Sequence, residues 1–176
     1  MLLFYTAMIE APEGKRKFEK LYLEYRQTMY CAAFRILQDA HEAEDAVHQA
    51  FLKIIGHLEK INENDCHKTK GFLVIVVENA AIDIYRRRKR DSAVSFEEME
   101  PVLAGNEVAG QSNAIIRAIC RLPAAYSTVL RLKYSHGYKY EEIAAILNIS
   151  EENVRQRLSR GKKKLAQLLE EEGITV

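Results

Sequence analysis

Cysteine is sparse in this chain of 176 residues: Cys31, Cys66 and Cys120 are an odd count, widely spaced, with no CxxC pair. That disfavours a disulfide framework or a thiolate zinc site and suits a reducing compartment. Glycine (8) and proline (3) are also scarce, so most of the chain is free to follow helical spacing. The longest wholly apolar run is Phe72 to Val77, far short of the roughly 18 to 20 residues a membrane span needs. The opening LLFYTAMI lacks a basic flank and a cleavage site, so no signal peptide is expected. There is no Walker-type loop, no GxGxxG and no nucleophile elbow. Membrane insertion, secretion and the common enzyme motifs are thereby disfavoured, and a cytoplasmic protein is expected.

Charge is present and unevenly placed. The net +1 conceals +2 over residues 1–90, −5 over 91–112, where no basic residue occurs, and +4 over 113–176. The acidic stretch also holds Pro101, Gly105 and Gly110 and has no apolar period. These are linker signals. The expected organisation is a domain over 1–90, an acidic linker over 91–112 and a second domain over 113–176.

Helical periodicity dominates both flanks. Phe18, Tyr22, Tyr25, Met29, Ala32 and Ile36 share one face of a helix from about Lys15 to Leu37. Asp39 caps a second helix with Ala43, Val47, Ala50, Ile54 and Leu58 inward. A polar loop, about Asn62 to Lys70, leads to a third segment ending in the basic run RRRKR. Within it FLVIVV is rich in β-branched residues, but no partner strand is evident, so a buried helix is expected. After the linker, Ile115, Ile119 and Leu122 form a face that Pro123 interrupts; Tyr126 and Leu130 continue it before the turn at SHG (135–137). The fold class is all-α, two helical bundles.

The most informative segment is YEEIAAILNISEENVRQRLSRGKKKL. A short helix crossing a longer one needs a small residue at the contact, which Ala144 supplies. Ile143 and Leu147 face the core, Asn148 suits the turn, and Ile149 plugs the corner. Ser150 caps the next helix, whose inner face is Val154, Leu158, Gly161, Leu165 and Leu168. Its outer face carries Asn153, Arg155, Arg157, Arg160, Lys162, Lys163 and Lys164. The start of such a helix reaches base edges and later basic residues hold phosphates, so a DNA-binding helix-turn-helix is expected in preference to a solvated charged helix on a helical hairpin. Glu151 and Glu152 oppose that charge.

Together, DAHEAEDAVHQAFLKI, GFLVIVVENAAIDIYRRRKR, the linker and the helix-turn-helix resemble the bacterial RNA polymerase sigma factors of the extracytoplasmic-function type, over about Phe18 to Leu169. The resemblance implies a subunit that binds core RNA polymerase through its β′ clamp helices and β flap and directs initiation at promoters, with no cofactor, metal or catalytic residue. It implies polymerase docking by Glu44, Asp45, His48, Gln49 and Phe51, where His48-Gln49 stand in place of the usual Gln-Glu. It implies −10 DNA contacts from Phe72, Asn79, Asp83, Arg86, Arg87, Arg88, Lys89 and Arg90, with Asn64, His67 and Lys70 in the loop that accepts a flipped base. Glu78 stands where the family usually has arginine. The −35 element falls to Ser150, Asn153, Arg155, Arg157, Arg160, Lys162 and Lys163. An anti-sigma partner is also expected. Three rivals remain weaker: a metal site at His41, Asp45 and His48, which lacks the HExxH pattern; a stand-alone dimeric regulator, for which the first half shows no sensing pocket; and an interaction protein that sequesters another transcription factor, which the basic faces in both halves oppose.

Overall fold

The computed structural model describes residues 2–61, 66–94, 107–171 and 173, and among these every regular element is helical. The chain divides into two compact units, one ending at Tyr85 and the other beginning at Arg86.

The first unit begins with a short helix absent from the sequence expectations, α1 (Leu2–Ala7). α2 (Pro12–Leu37) opens with proline in its first turn, where the missing N–H removes no intrahelical bond. It ends at Gln38 in the left-handed region (φ 54°), whose N–H donates to the Phe34 carbonyl at 2.8 Å. Asp39 then accepts the Glu42 N–H at 2.9 Å as the N-cap of α3 (Ala40–Ile55). A stop and a start on adjacent residues fold α3 back on α2. Ala43, Val47, Ala50 and Ile54 are buried as the spacing predicts; Leu58 is buried too, but from a 3-10 turn, Leu58–Lys60. Phe51 sits in a ring cluster with Phe18 (5.6 Å) and Tyr22 (5.0 Å).

FLVIVV is helical, inside α4 (Cys66–Val94). Leu73, Val74, Val77, Ala80 and Ala81 join the core built on α2 and α3. Burial outweighs the few tenths of a kcal/mol by which β-branched residues disfavour a helix. One boundary needs correcting: the loop expected through Lys70 gives way to helix at Cys66. α4 runs on to Val94, and α5 (Glu107–Arg121) follows, so both ends of the expected linker are helical. The middle of the expected linker lies outside the described residues.

In the second unit α5 is followed by α6 (Ala124–Leu130), a π turn (Arg131–Ser135), α7 (Tyr140–Leu147) and α8 (Glu151–Glu171), with α5, α6 and α7 all packed on α8. The apolar face expected at Ile115, Ile119 and Leu122 is displaced. Ala114, Ala118, Cys120 and Leu122 are buried, Ile115 is 42% exposed, and Ile119 is half-buried. Two stripes one residue apart fit the spacing, and alanines carry too little apolar surface to mark the inner one. Burial pushes the Cys120 thiol up to about 11. On α8 the inner face is as expected: Val154, Leu158, Gly161 and Leu168 are buried and Leu165 half-buried.

Gly161 marks the closest approach of α8 to α6. A Cβ there lies 3.2 Å from both Leu130 Cδ1 and Tyr126 Cβ, the latter fixed to its own backbone. Gly161→Val overfills this contact and is expected to cost about 1–3 kcal/mol. Thermal denaturation followed by circular dichroism should show a midpoint lower by roughly 4 °C or more; an unchanged midpoint contradicts the packing described.

Candidate polymerase and nucleic-acid interfaces

On α3, Glu44 and Asp45 are exposed, while His48 and Gln49 are half-buried. Phe51 is wholly buried, so it seats the helix from within and offers nothing to a partner. The His48 ring lies tilted against that of Tyr5, centroids 5.4 Å apart, and its Nδ1 is 2.7 Å from the Tyr5 hydroxyl oxygen. The His41, Asp45, His48 grouping does not converge: among the described residues no three His, Cys, Asp or Glu side chains are placed to hold a metal. Nor is any described helix long and apolar enough to cross a membrane.

Along α4 the expected −10 residues separate. Asn64 lies outside the described residues. His67 and Lys70 are exposed on the first turns of the helix, not in a loop, because helical hydrogen bonding is already established from Cys66. Phe72 and Asn79 are half-buried; Asp83, Arg87, Arg88, Lys89 and Arg90 are exposed. Glu78 is 4% exposed, so the carboxylate at that position does not face solvent. Arg86 differs from the rest of its run. Within the second unit its Nε donates to the Cys120 carbonyl at 2.9 Å and a terminal nitrogen donates to the Leu122 carbonyl at 2.6 Å. Carbonyls at a helix end lack intrahelical donors and sit at the negative end of its dipole, a natural seat for a guanidinium. Arg86 is thus spent on protein, and the exposed cations of this run are Arg87 to Arg90.

The helix-turn-helix is built as its residues suggest. The Lys139 N–H donates to Glu142 at 2.7 Å, closing the start of α7. Asn148 takes the left-handed conformation (φ 52°, ψ 51°) that ends it, and the Ile149 N–H returns to the Ala144 carbonyl at 3.0 Å. Asparagine tolerates this region better than most residues with a Cβ. Ser150 accepts the Asn153 N–H at 3.2 Å and caps α8. Beyond the cap Arg155, Arg160, Lys162, Lys163 and Lys164 are exposed, and Asn153 and Arg157 are half-buried.

Sequence reasoning missed the aromatic side of this face. Arg155 lies 5.7 Å from the Tyr140 ring, Lys133 lies 4.7 Å from the same ring, and Lys162 lies 5.1 Å from Tyr134. Such contacts hold cations without neutralising them. Together with α8 the two tyrosines line a groove of about 350 Å³. No local spacing reveals it, because each pair bridges different helices. Glu151 and Glu152 also acquire a role: both carboxylates reach Arg155, at 3.2 and 3.8 Å.

Residues 21–91 match the family description Sigma-70 region 2 and residues 112–165 match Sigma-70, region 4. The chain is 30% identical over 160 residues to the ECF RNA polymerase sigma factor SigW of Bacillus subtilis, covering 82% of this chain and 84% of that one. This chain belongs to the extracytoplasmic-function family of RNA polymerase sigma factors. A second relative, SigM of Bacillus subtilis, is 29% identical over 156 residues, 85% of this chain and 93% of that one. The same fold occurs in the sigma factor RpoE bound to the anti-sigma factor NepR from Bartonella quintana (TM-score 0.51, 22% identity, 87% and 96% coverage). It occurs also in CnrH bound to the cytosolic domain of CnrY (TM-score 0.53, 21% identity, 89% of each chain). As a sigma factor the chain is a DNA-binding partner of core RNA polymerase that directs promoter-specific initiation.

Replacing both acids, Glu151→Gln with Glu152→Gln, removes negative charge from the basic face and releases Arg155. Duplex DNA is expected to bind several-fold more tightly, with the slope of log affinity against log salt steeper by about 0.9. Fluorescence anisotropy across a salt series measures both; unchanged affinity contradicts the pairing.

Proposed function

We propose that the two units divide the work of initiation, the first docking core polymerase and engaging the −10 region, the second reading the −35 element. The observation that carries this is the basic outer face of α8 on a capped helix-turn-helix, with Arg155, Arg160, Lys162 and Lys163 exposed. Asn153 and Arg157, near the start of α8, take the base edges, and the later cations take phosphates. On α3, Glu44, Asp45, His48 and Gln49 form the polymerase contact, against the β′ clamp helices, with the β flap left to the second unit. Phe72, Asn79, Asp83 and Arg87 to Arg90 engage the −10 DNA. His67 and Lys70, with Asn64, border the site that takes the flipped base.

The domains run over 1–90 and 113–176, and the acidic 91–112 segment threads a basic channel of the polymerase. The protein acts in the cytoplasm and performs no covalent chemistry; polymerisation belongs to its partner. An anti-sigma factor restrains it, a reading supported by the fold-similar sigma factor bound to one.

Asp45→Arg reverses an exposed charge and is expected to abolish capture of core polymerase while circular dichroism and the thermal midpoint stay as in the unaltered chain. Capture at the original level contradicts docking through α3. Arg157→Ala is expected to leave polymerase capture intact and to weaken −35 recognition by about 1–3 kcal/mol. In vitro transcription from promoters with and without a −35 element reads this directly. Equal loss on both templates contradicts the assignment.

A further inference from the structure

We propose that Tyr5 is a positioning residue for polymerase docking: its phenol fixes the His48 imidazole in one tautomer, so that α3 offers its partner an Nε2–H donor. The proposal rests on the reading of α3 as the docking helix. α1 has six residues and no charged side chain, too short to persist without tertiary packing. It is anchored by Tyr5, which is 1% exposed and lies 5.4 Å from Phe18, 5.9 Å from Tyr22 and 5.7 Å from Phe51, ring centre to ring centre. One polar atom of this buried ring has a partner across 43 residues: the hydroxyl lies 2.7 Å from His48 Nδ1.

The proton positions follow from what each atom can satisfy. Burial pushes the Tyr5 phenol up to about 12, so it keeps its proton at neutral pH. If neutral His48 carried its proton on Nδ1, both groups would present a hydrogen to each other, or the phenolic hydrogen would lack an acceptor among the described residues. Donation from the phenol to Nδ1 removes that conflict and leaves the imidazole proton on Nε2. His48 lies three residues after Asp45 and four after Glu44, on the same helical face. The docking face therefore combines two acceptors with one oriented donor. Its complement on the polymerase is a hydrogen-bond acceptor, a carbonyl or a carboxylate, set beside basic groups.

Long-range proton–nitrogen correlation spectra of the full chain at about pH 8.5 read the tautomer, with His48→Gln identifying the resonances. The expected pattern has Nε2 protonated and Nδ1 bare. Tyr5→Phe keeps the ring and removes the hydroxyl. It is expected to average the two tautomers and to weaken core polymerase binding roughly three- to tenfold. In a His48→Ala background the same change is expected to have no further effect on binding. Protonated Nδ1 with bare Nε2 in the unaltered chain overturns the proposal, as does polymerase binding by folded Tyr5→Phe equal to the original. Should Tyr5→Phe fail to fold, the tautomer of the unaltered chain and the affinity of His48→Ala decide, the latter at the original level overturning it. Asp45→Arg, run in parallel, separates the two readings. If it leaves binding unchanged, the docking role of α3 fails; if it abolishes binding while Tyr5→Phe does not alter it, only the role of Tyr5 fails.

Discussion

The seating of α3 on α2 is the constraint from which the rest of the first unit follows. An exposed acidic face can be offered to a partner only if the opposite face of the same helix is held, and Phe51 holds it among Phe18, Tyr22 and Tyr5. Aromatic pairs at these separations add about 1 kcal/mol each beyond the burial of their area. The turn at Gln38 and Asp39 then fixes the angle, because one residue closes α2 and the next opens α3. Glu44 and Asp45 face solvent as a consequence, one to two turns beyond that corner.

The second unit meets the same demand by a different route. Its reading helix is held by small residues in place of rings: Gly161 against α6, and Ala144 in the short helix before the turn. Close approach leaves the outer face of α8 free for cations. Their placement is further set by Tyr134 and Tyr140, which hold Lys162 and Arg155 without cancelling their charge, and by the carboxylates of Glu151 and Glu152. On the proposed reading of this face, DNA binding is an exchange in which phosphates replace the carboxylates around Arg155. Its strength depends on salt for the same reason.

How much of this was legible depended on whether the governing contact was local. Asp39 and Ser150 announced their helices because a cap acts within three residues, and the core face of α8 followed from its period. FLVIVV was resolved correctly by the lack of a pairing strand, although its residue types favour one. The displaced stripe of α5 escaped because alanine is an ambiguous marker of burial. The early start of α4 escaped because polar residues at a helix entry look like a loop. Tyr5 with His48, Arg86 with Cys120 and Leu122, and Tyr140 with Arg155 were invisible for one shared reason: each joins segments far apart in sequence, and nothing in either segment names the other.

The division of labour between the units stands or falls with a single preparation. Purified protein is mixed with bacterial core RNA polymerase, the complex is isolated, and it is used to transcribe a randomised promoter library. The account predicts one copy bound per polymerase and start sites that share two elements at a fixed spacing. Failure to bind polymerase, with sequence-specific binding of DNA by a dimer of the free protein, contradicts it.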